Sequence, residues 1–171
     1  IESIPSITRK VPEVTVEIAG NDEVNYGGGV PKEKSWKKWA ISYLKHHECE
    51  NKVKWLGRLE ESDYISWLQR SYCHVYLTHP YVLSWSFIEA LHCCKKIVAS
   101  DVKPVREFYT ASNEHLVDHR KRDALEETII NQLILPQENI NMKQRKIADL
   151  DIGTCILGWE DVTRLNVATI D

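Results

Sequence analysis

Residues 74–100 read HVYLTHPYVLSWSFIEALHCCKKIVAS, and the fold follows from how this stretch is divided. His74-Val75-Tyr76-Leu77 is an apolar run of strand type, and His79-Pro80 is a turn signal. Pro80 to Leu91 opens a helix whose first turn carries Ser84, Ser86 and Glu89, and Ile97-Val98-Ala99 is a second short apolar strand. A strand, a tight loop and a helix beginning with free backbone N–H groups is how α/β proteins hold anionic ligands. A carboxylate one turn into that helix can accept hydrogen bonds from sugar hydroxyls. The candidate site is therefore Pro80 to Leu91.

Working outward, the same alternation recurs. Ile1, Ile4 and Ile7 share a face, which reads as the tail end of a helix despite Pro5. Val14, Val16 and Ile18 alternate with Thr15 and Glu17, the period of a strand, which Gly20-Asn21-Asp22 ends. The triplet Gly27-Gly28-Gly29 reads as a turn, or as a loop beside the ligand site. Trp36, Trp39, Ala40, Tyr43 and Leu44 fall at helical spacing behind Ser35, a suitable N-cap. Val53 to Leu56 is a strand stopped by Gly57, and Ser62 or Asp63 caps a helix burying Tyr64, Ile65, Leu68 and Tyr72. After the central stretch, Asp101 to Pro104 starts a short helix and Leu116-Val117 makes a last strand. Asp123 and Glu126 form a possible capping box for the helix carrying Leu125, Ile129, Ile130, Leu133 and Ile134. Further helices are expected around Lys143–Leu150 and Trp159–Leu165.

This order predicts an α/β fold of Rossmann type, three layers deep, with a mainly parallel sheet of about five strands in one domain, 1–171. The ligand would sit at the carboxyl ends of the strands, on the loops after Ala19, Leu56, Leu77 and Ala99. A doubly wound unit ordinarily starts with a strand, so an upstream first strand is expected to be absent.

Composition excludes several classes. The 171 residues are 43% apolar and 27% charged, ordinary globular usage rather than that of a disordered chain. A net charge of −3, from 22 basic and 25 acidic residues, is unlike a nucleic-acid binder. No apolar run approaches the ~18 residues of a membrane span, so no transmembrane segment is expected, nor a leader. The five cysteines are odd in number and lack C-x-x-C spacing, which reads as reduced thiols in a cytoplasmic protein.

Each candidate residue carries two readings. Ser86-Phe87-Ile88-Glu89 fits the S-x-x-E capping box, in which the glutamate only closes a helix start. Alternatively Glu89 faces the cleft and binds a diol, while Ser84, Trp85 and Ser86 offer N–H groups to a phosphate. Tyr81 and Trp85 either pack on a sugar face or belong to the core or rim. His46-His47 with Cys49, His92 with Cys93-Cys94, and His115 with His119 lack the paired spacing of a zinc site. In a strand, positions 115 and 119 would stand ~13 Å apart; no metal is expected. No Ser-His-Asp arrangement, Gly-x-Gly-x-x-Gly or P-loop is present.

Val53-Lys54-Trp55-Leu56-Gly57-Arg58-Leu59, Ser86-Phe87-Ile88-Glu89-Ala90-Leu91, and Ile97 to Asp101 with Pro104-Val105-Arg106-Glu107 together resemble the donor-binding half of a retaining GT-B glycosyltransferase of group 1. Gly20-Asn21-Asp22 and Tyr26-Gly27 extend the likeness. The resemblance implies a nucleotide-diphosphate sugar as co-substrate, with no other cofactor. It implies donor-binding roles for Glu89, Tyr81, Ser84, Trp85, Ser86, Gly57 and Arg58, Glu89 holding the ribose. The family's other glutamate, eight positions earlier, falls on Tyr81; YVLSWS is similar to a bacterial subgroup with an aromatic there. Cys94 and Lys96 stand where the family commonly carries glycine and proline. The family's first strand, with its Gly-Arg and lysine, and the acceptor-binding domain are expected to be missing, leaving this piece alone inactive. The parent enzyme would transfer a hexosyl-type group with retention, in the cytoplasm or at the inner membrane surface. A non-catalytic binding module and a sugar-nucleotide epimerase are the alternatives.

Overall fold

The computed structural model describes residues 1–22, 35–81, 83–108 and 115–135. In chain order these form α1 (Ile4–Lys10), β1 (Val16–Ala19), α2 (Trp36–His46), a 3₁₀ turn (Glu50–Lys52), β2 (Val53–Gly57) and α3 (Glu61–Arg70). Then come β3 (His74–Tyr76), α4 (Trp85–Cys93), β4 (Ile97–Ser100), α5 (Lys103–Phe108), β5 (Leu116–Val117) and α6 (Arg122–Ile134). The alternation expected from the sequence is present, and all pairings are parallel. The Gly27–Gly29 triplet and the two helices expected beyond Pro136 lie outside the described residues.

Among the described residues the expected parallel strands lie in two sheets rather than one. The five strands divide into two sheets, β1-β2 and β3-β4-β5. β1 and β2 pair from Val16↔Val53 to Ala19↔Gly57, with a register shift after Ile18. Hydrophobic periodicity fixes which residues form strands but not which strands touch, because pairing depends on contacts far apart in sequence.

β4 is buried at every residue, as a parallel strand covered on both faces requires. Ile97 and Ala99 face one core with Leu68 of α3, Phe87, Ala90 and Leu91 of α4, and Val105 of α5. Val98 faces the other, with Ile7 of α1 and Leu125, Ile129 and Ile130 of α6. A third cluster joins Ile4 of α1 to Leu44 of α2 and Val53 of β2. Thus α1 contributes to the cores beneath both sheets. Between the sheets runs a cleft of about 810 Å³, bordered by β1 and β3. The Arg70–Glu17 ion pair, at 2.6 Å, joins α3 to β1 across it.

Several local expectations are corrected. Pro5 lies in the first turn of α1, so residues 4–10 are a whole short helix rather than the tail of one; proline fits there because the first-turn N–H has no intrahelical partner. α3 begins one to two residues before Ser62 and Asp63, at an N-cap Glu60 whose side chain makes no cap bond. In α6 the N-cap is Lys121, which leaves no capping box on Asp123. Ser35 does cap α2, accepting from the Lys38 amide at 2.9 Å, although Trp36 is exposed. Lys96 is almost fully buried beneath the end of α6. Its ammonium donates to the carbonyls of Gln132 at 2.7 Å and Leu135 at 2.5 Å and lies 4.5 Å from the Tyr72 ring centroid.

Candidate functional site

The loop after β3 brings the chain to Ser84, the N-cap of α4, with extended backbone at φ −90° and ψ 150°. Its hydroxyl accepts from the Phe87 amide at 3.3 Å. The same oxygen lies 2.8 Å from the Tyr76 hydroxyl and 2.8 Å from that of Ser86. Tyr76 therefore holds the cap from the end of β3, its ring tilted against that of Phe87 of the core at 4.6 Å between centroids. The amides of Trp85 and Ser86, the first two helical residues, have no partner within the helix. With the positive end of the dipole behind them they form a place for an anion.

Because Ser84 is the cap, the Ser86–Glu89 capping box does not exist. Its glutamate would have to occupy the third helical position, which is Phe87. Glu89 lies two residues further on and is half-buried against α3. There the Tyr64 hydroxyl donates to its carboxylate. Burial first, and the Glu89 charge second, push the Tyr64 hydroxyl up to about 12. Cys93, one turn on, is raised as well, by burial and by Glu89. Tyr64 is recognisable in the sequence as an inward helical residue, but its pairing with Glu89 crosses two helices and has no local signature.

Tyr81 and Trp85 are 80% and 79% exposed. They are not core residues; they stand out at the rim of the loop and of the first helical turn. Gly57 ends β2 with φ +67° and an open space around its α-carbon; its carbonyl accepts from Gly20 at 2.8 Å. Arg58 follows, exposed. These two lie on the two-stranded sheet, separated from β3 and α4 by β1 and the cleft. So the structure gathers Ser84, Trp85, Ser86 and Glu89 on one helix, with Tyr81 leading into it, and sets Gly57 and Arg58 apart.

The large cleft reaches Ser86 and Tyr64. A second cavity, about 250 Å³, opens at the carboxyl ends of β3, β4 and β5 between His79, Asp101, Asp118 and His119. Glu89 lines neither. Behind the second cavity Ser100 is fully buried; its hydroxyl accepts from the Thr78 amide at 2.8 Å and lies 2.9 Å from His119 Nδ1. His119 meets His79 edge-on at 5.6 Å, a pairing hidden in the sequence because it joins the ends of different strands. Arg106 pairs with Asp101 and holds its carboxyl below the usual range. Arg120 does the same for Asp118, down to about 2. After β1, Asp22 accepts from the Ser35 hydroxyl at 2.5 Å and the Lys37 amide at 3.2 Å, which lowers its pKa.

Residues 1–149 match the family model described as glycosyl transferases group 1. A comparison with curated proteins finds no match. The match covers every element from α1 to α6, including the loop and helix that carry Ser84 and Glu89. The chain therefore belongs to the group 1 glycosyltransferases.

Proposed function

We propose that this chain is the donor-binding half of its glycosyltransferase. It holds a nucleotide-diphosphate sugar at the amino end of α4, from which the parent enzyme transfers a hexosyl-type group with retention. The observation that carries the reading is the cap at Ser84. It leaves the Trp85 and Ser86 amides unused by the helix and frees Glu89 from capping. In this arrangement the diphosphate meets the two amides and the helix dipole, which neutralise charge on the leaving group. Glu89, oriented by Tyr64, accepts from the two ribose hydroxyls. Tyr81 and Trp85 offer exposed rings to the sugar or base.

Gly57 and Arg58 enter this reading as a second shore of the site, Arg58 supplying positive charge from the end of β2. An acceptor-binding domain is the partner needed to hold the acceptor hydroxyl in line, since transfer requires both reactants fixed together. Among the described residues Cys49, Cys73, Cys93 and Cys94 form no disulfide, which is in keeping with a reducing compartment, the cytoplasm. Among the described residues no helix is long and apolar enough to cross a membrane.

The test is a calorimetric titration of the full-length protein with UDP, GDP and ADP. One of the three should bind saturably, and Glu89→Ala should weaken it about 10- to 150-fold, the range for hydrogen bonds to a charged group. Binding by none of them, or equal binding by the variant, rejects the reading. A second reading, a binding module without chemistry, is favoured by Tyr81 standing where the resemblance expects a carboxylate. Sugar transfer by the same full-length protein excludes it.

A further inference from the structure

The hydroxyls of Tyr76, Ser84 and Ser86 meet at the amino end of α4. Ser84 Oγ lies 2.8 Å from the Tyr76 oxygen, 2.8 Å from Ser86 Oγ and 3.3 Å from the Phe87 amide nitrogen. A serine hydroxyl has one proton to give and two lone pairs with which to receive. The Phe87 amide takes one lone pair, so Ser84 accepts from one hydroxyl neighbour and donates to the other. The chain of bonds therefore runs in one of two directions. Either Tyr76 donates to Ser84 and Ser84 to Ser86, or both bonds are reversed.

The two ends of this chain are unlike. Tyr76 is half-buried at the end of β3, its ring against the fully buried Phe87. Among the described residues its hydroxyl is bonded to Ser84 alone. With the chain running towards Tyr76, the phenol proton has no protein acceptor. A phenol is in general a stronger proton donor than an aliphatic hydroxyl. Ser86, by contrast, is exposed in the first turn of the helix. Running towards Ser86, the chain pairs both inner protons and leaves only the Ser86 proton unused.

We infer that Tyr76 is a positioning residue for the donor diphosphate. Acting through Ser84, it makes Ser86 Oγ a further donor beside the Trp85 and Ser86 amides. The inference rests on the reading of α4 as the diphosphate site. A phosphoryl oxygen at this place only accepts, so it aligns the chain outwards from Tyr76. Each bond then polarises the next, and the last is charge-assisted. A ligand hydroxyl donating to Ser86 would instead reverse the chain and leave the phenol proton unpaired. The relay thus selects a phosphoryl group over a proton donor, although Ser86 is its one member that meets the ligand.

A double-mutant cycle tests it, read by calorimetry of the full-length protein with UDP, GDP and ADP. Tyr76→Phe keeps the ring and removes the oxygen; Ser86→Ala removes the outer donor from an exposed position, and Ser84 remains as the cap. For the nucleotide that binds, Ser86→Ala should weaken affinity about 10-fold or more and Tyr76→Phe about 3- to 10-fold. In the Ser86→Ala background, Tyr76→Phe should cost less than about 2-fold, because its effect passes through Ser86. A tyrosine that merely supports α4 would weaken binding by the same factor in both backgrounds, and that result overturns the relay. So does wild-type affinity in either single variant. Glu89→Ala, measured beside them, separates the two levels of the account. Binding that depends on Glu89 but not on Tyr76 and Ser86 overturns the relay alone, whereas binding by none of the three nucleotides overturns the diphosphate site with it.

Discussion

Glu89 and Tyr64 show what one pair of side chains can decide. The Tyr64 hydroxyl of a neighbouring helix faces the carboxylate. Tyr64→Phe should keep the fold, because the ring remains, but should weaken nucleotide binding about 3- to 10-fold. Equal affinity in calorimetry would show that the hydroxyl does not orient Glu89. His74 makes a separate claim. It lies under the sheet edge, edge-on to Trp67 at 5.8 Å, and burial lowers its pKa to about 4. The folded value lies below the unfolded ~6.5, so between these limits the unfolded chain binds more protons. Stability contributed by neutral His74 is therefore complete above pH ~6.5 and lost as pH falls towards 4, by on the order of 2–3 kcal/mol. Urea unfolding at pH 7 and 4.5 should show this slope, and His74→Phe should flatten it. At this scale the sequence identifies Glu89 as a candidate but leaves capping and ligand readings open. The position of the cap, fixed by Tyr76 and the backbone at Ser84, removes the capping reading.

Helix ends carry the next set of expectations. Ser84→Ala should cost about 1 kcal/mol through the lost cap, whereas Ser86→Ala should change stability by less than about 0.5 kcal/mol. The opposite ranking in thermal unfolding would return the cap to Ser86 and restore the capping box. Cys94 and Lys96, which depart from the family pattern, have structural explanations. Cys94 ends α4 with ordinary extended backbone, φ −90°, so no glycine is required, and its thiol reaches the Leu68 carbonyl at 3.4 Å. Lys96 closes the carboxyl end of α6, remote from the amino end of α4. Lys96→Ala should lower stability by about 1–3 kcal/mol by orphaning those carbonyls, with nucleotide affinity unchanged. Loss of affinity in a folded variant would contradict this separation. Elements such as α2 and β2 are legible in sequence because a capping serine or a stopping glycine punctuates a clean period. The caps of α3 and α6 are not, because Glu60 and Lys121 start those helices without a side-chain bond.

For the molecule as a whole, the alternation of strands and helices reads directly from hydrophobic period. The division into two sheets does not, since the neighbours of β1 and β3 depend on what lies between them. That division and the site meet at one place, because the cleft ends beside Ser86. The central claim is that a diphosphate is received by the first turn of α4. Amide chemical shifts of the full-length protein, followed while its nucleotide diphosphate is titrated in, test it most directly. The account predicts the largest saturable shifts at Trp85 and Ser86, with smaller ones at Glu89 and Tyr64. Saturable shifts confined to other strand ends, with those of Trp85 and Ser86 unmoved, would contradict it.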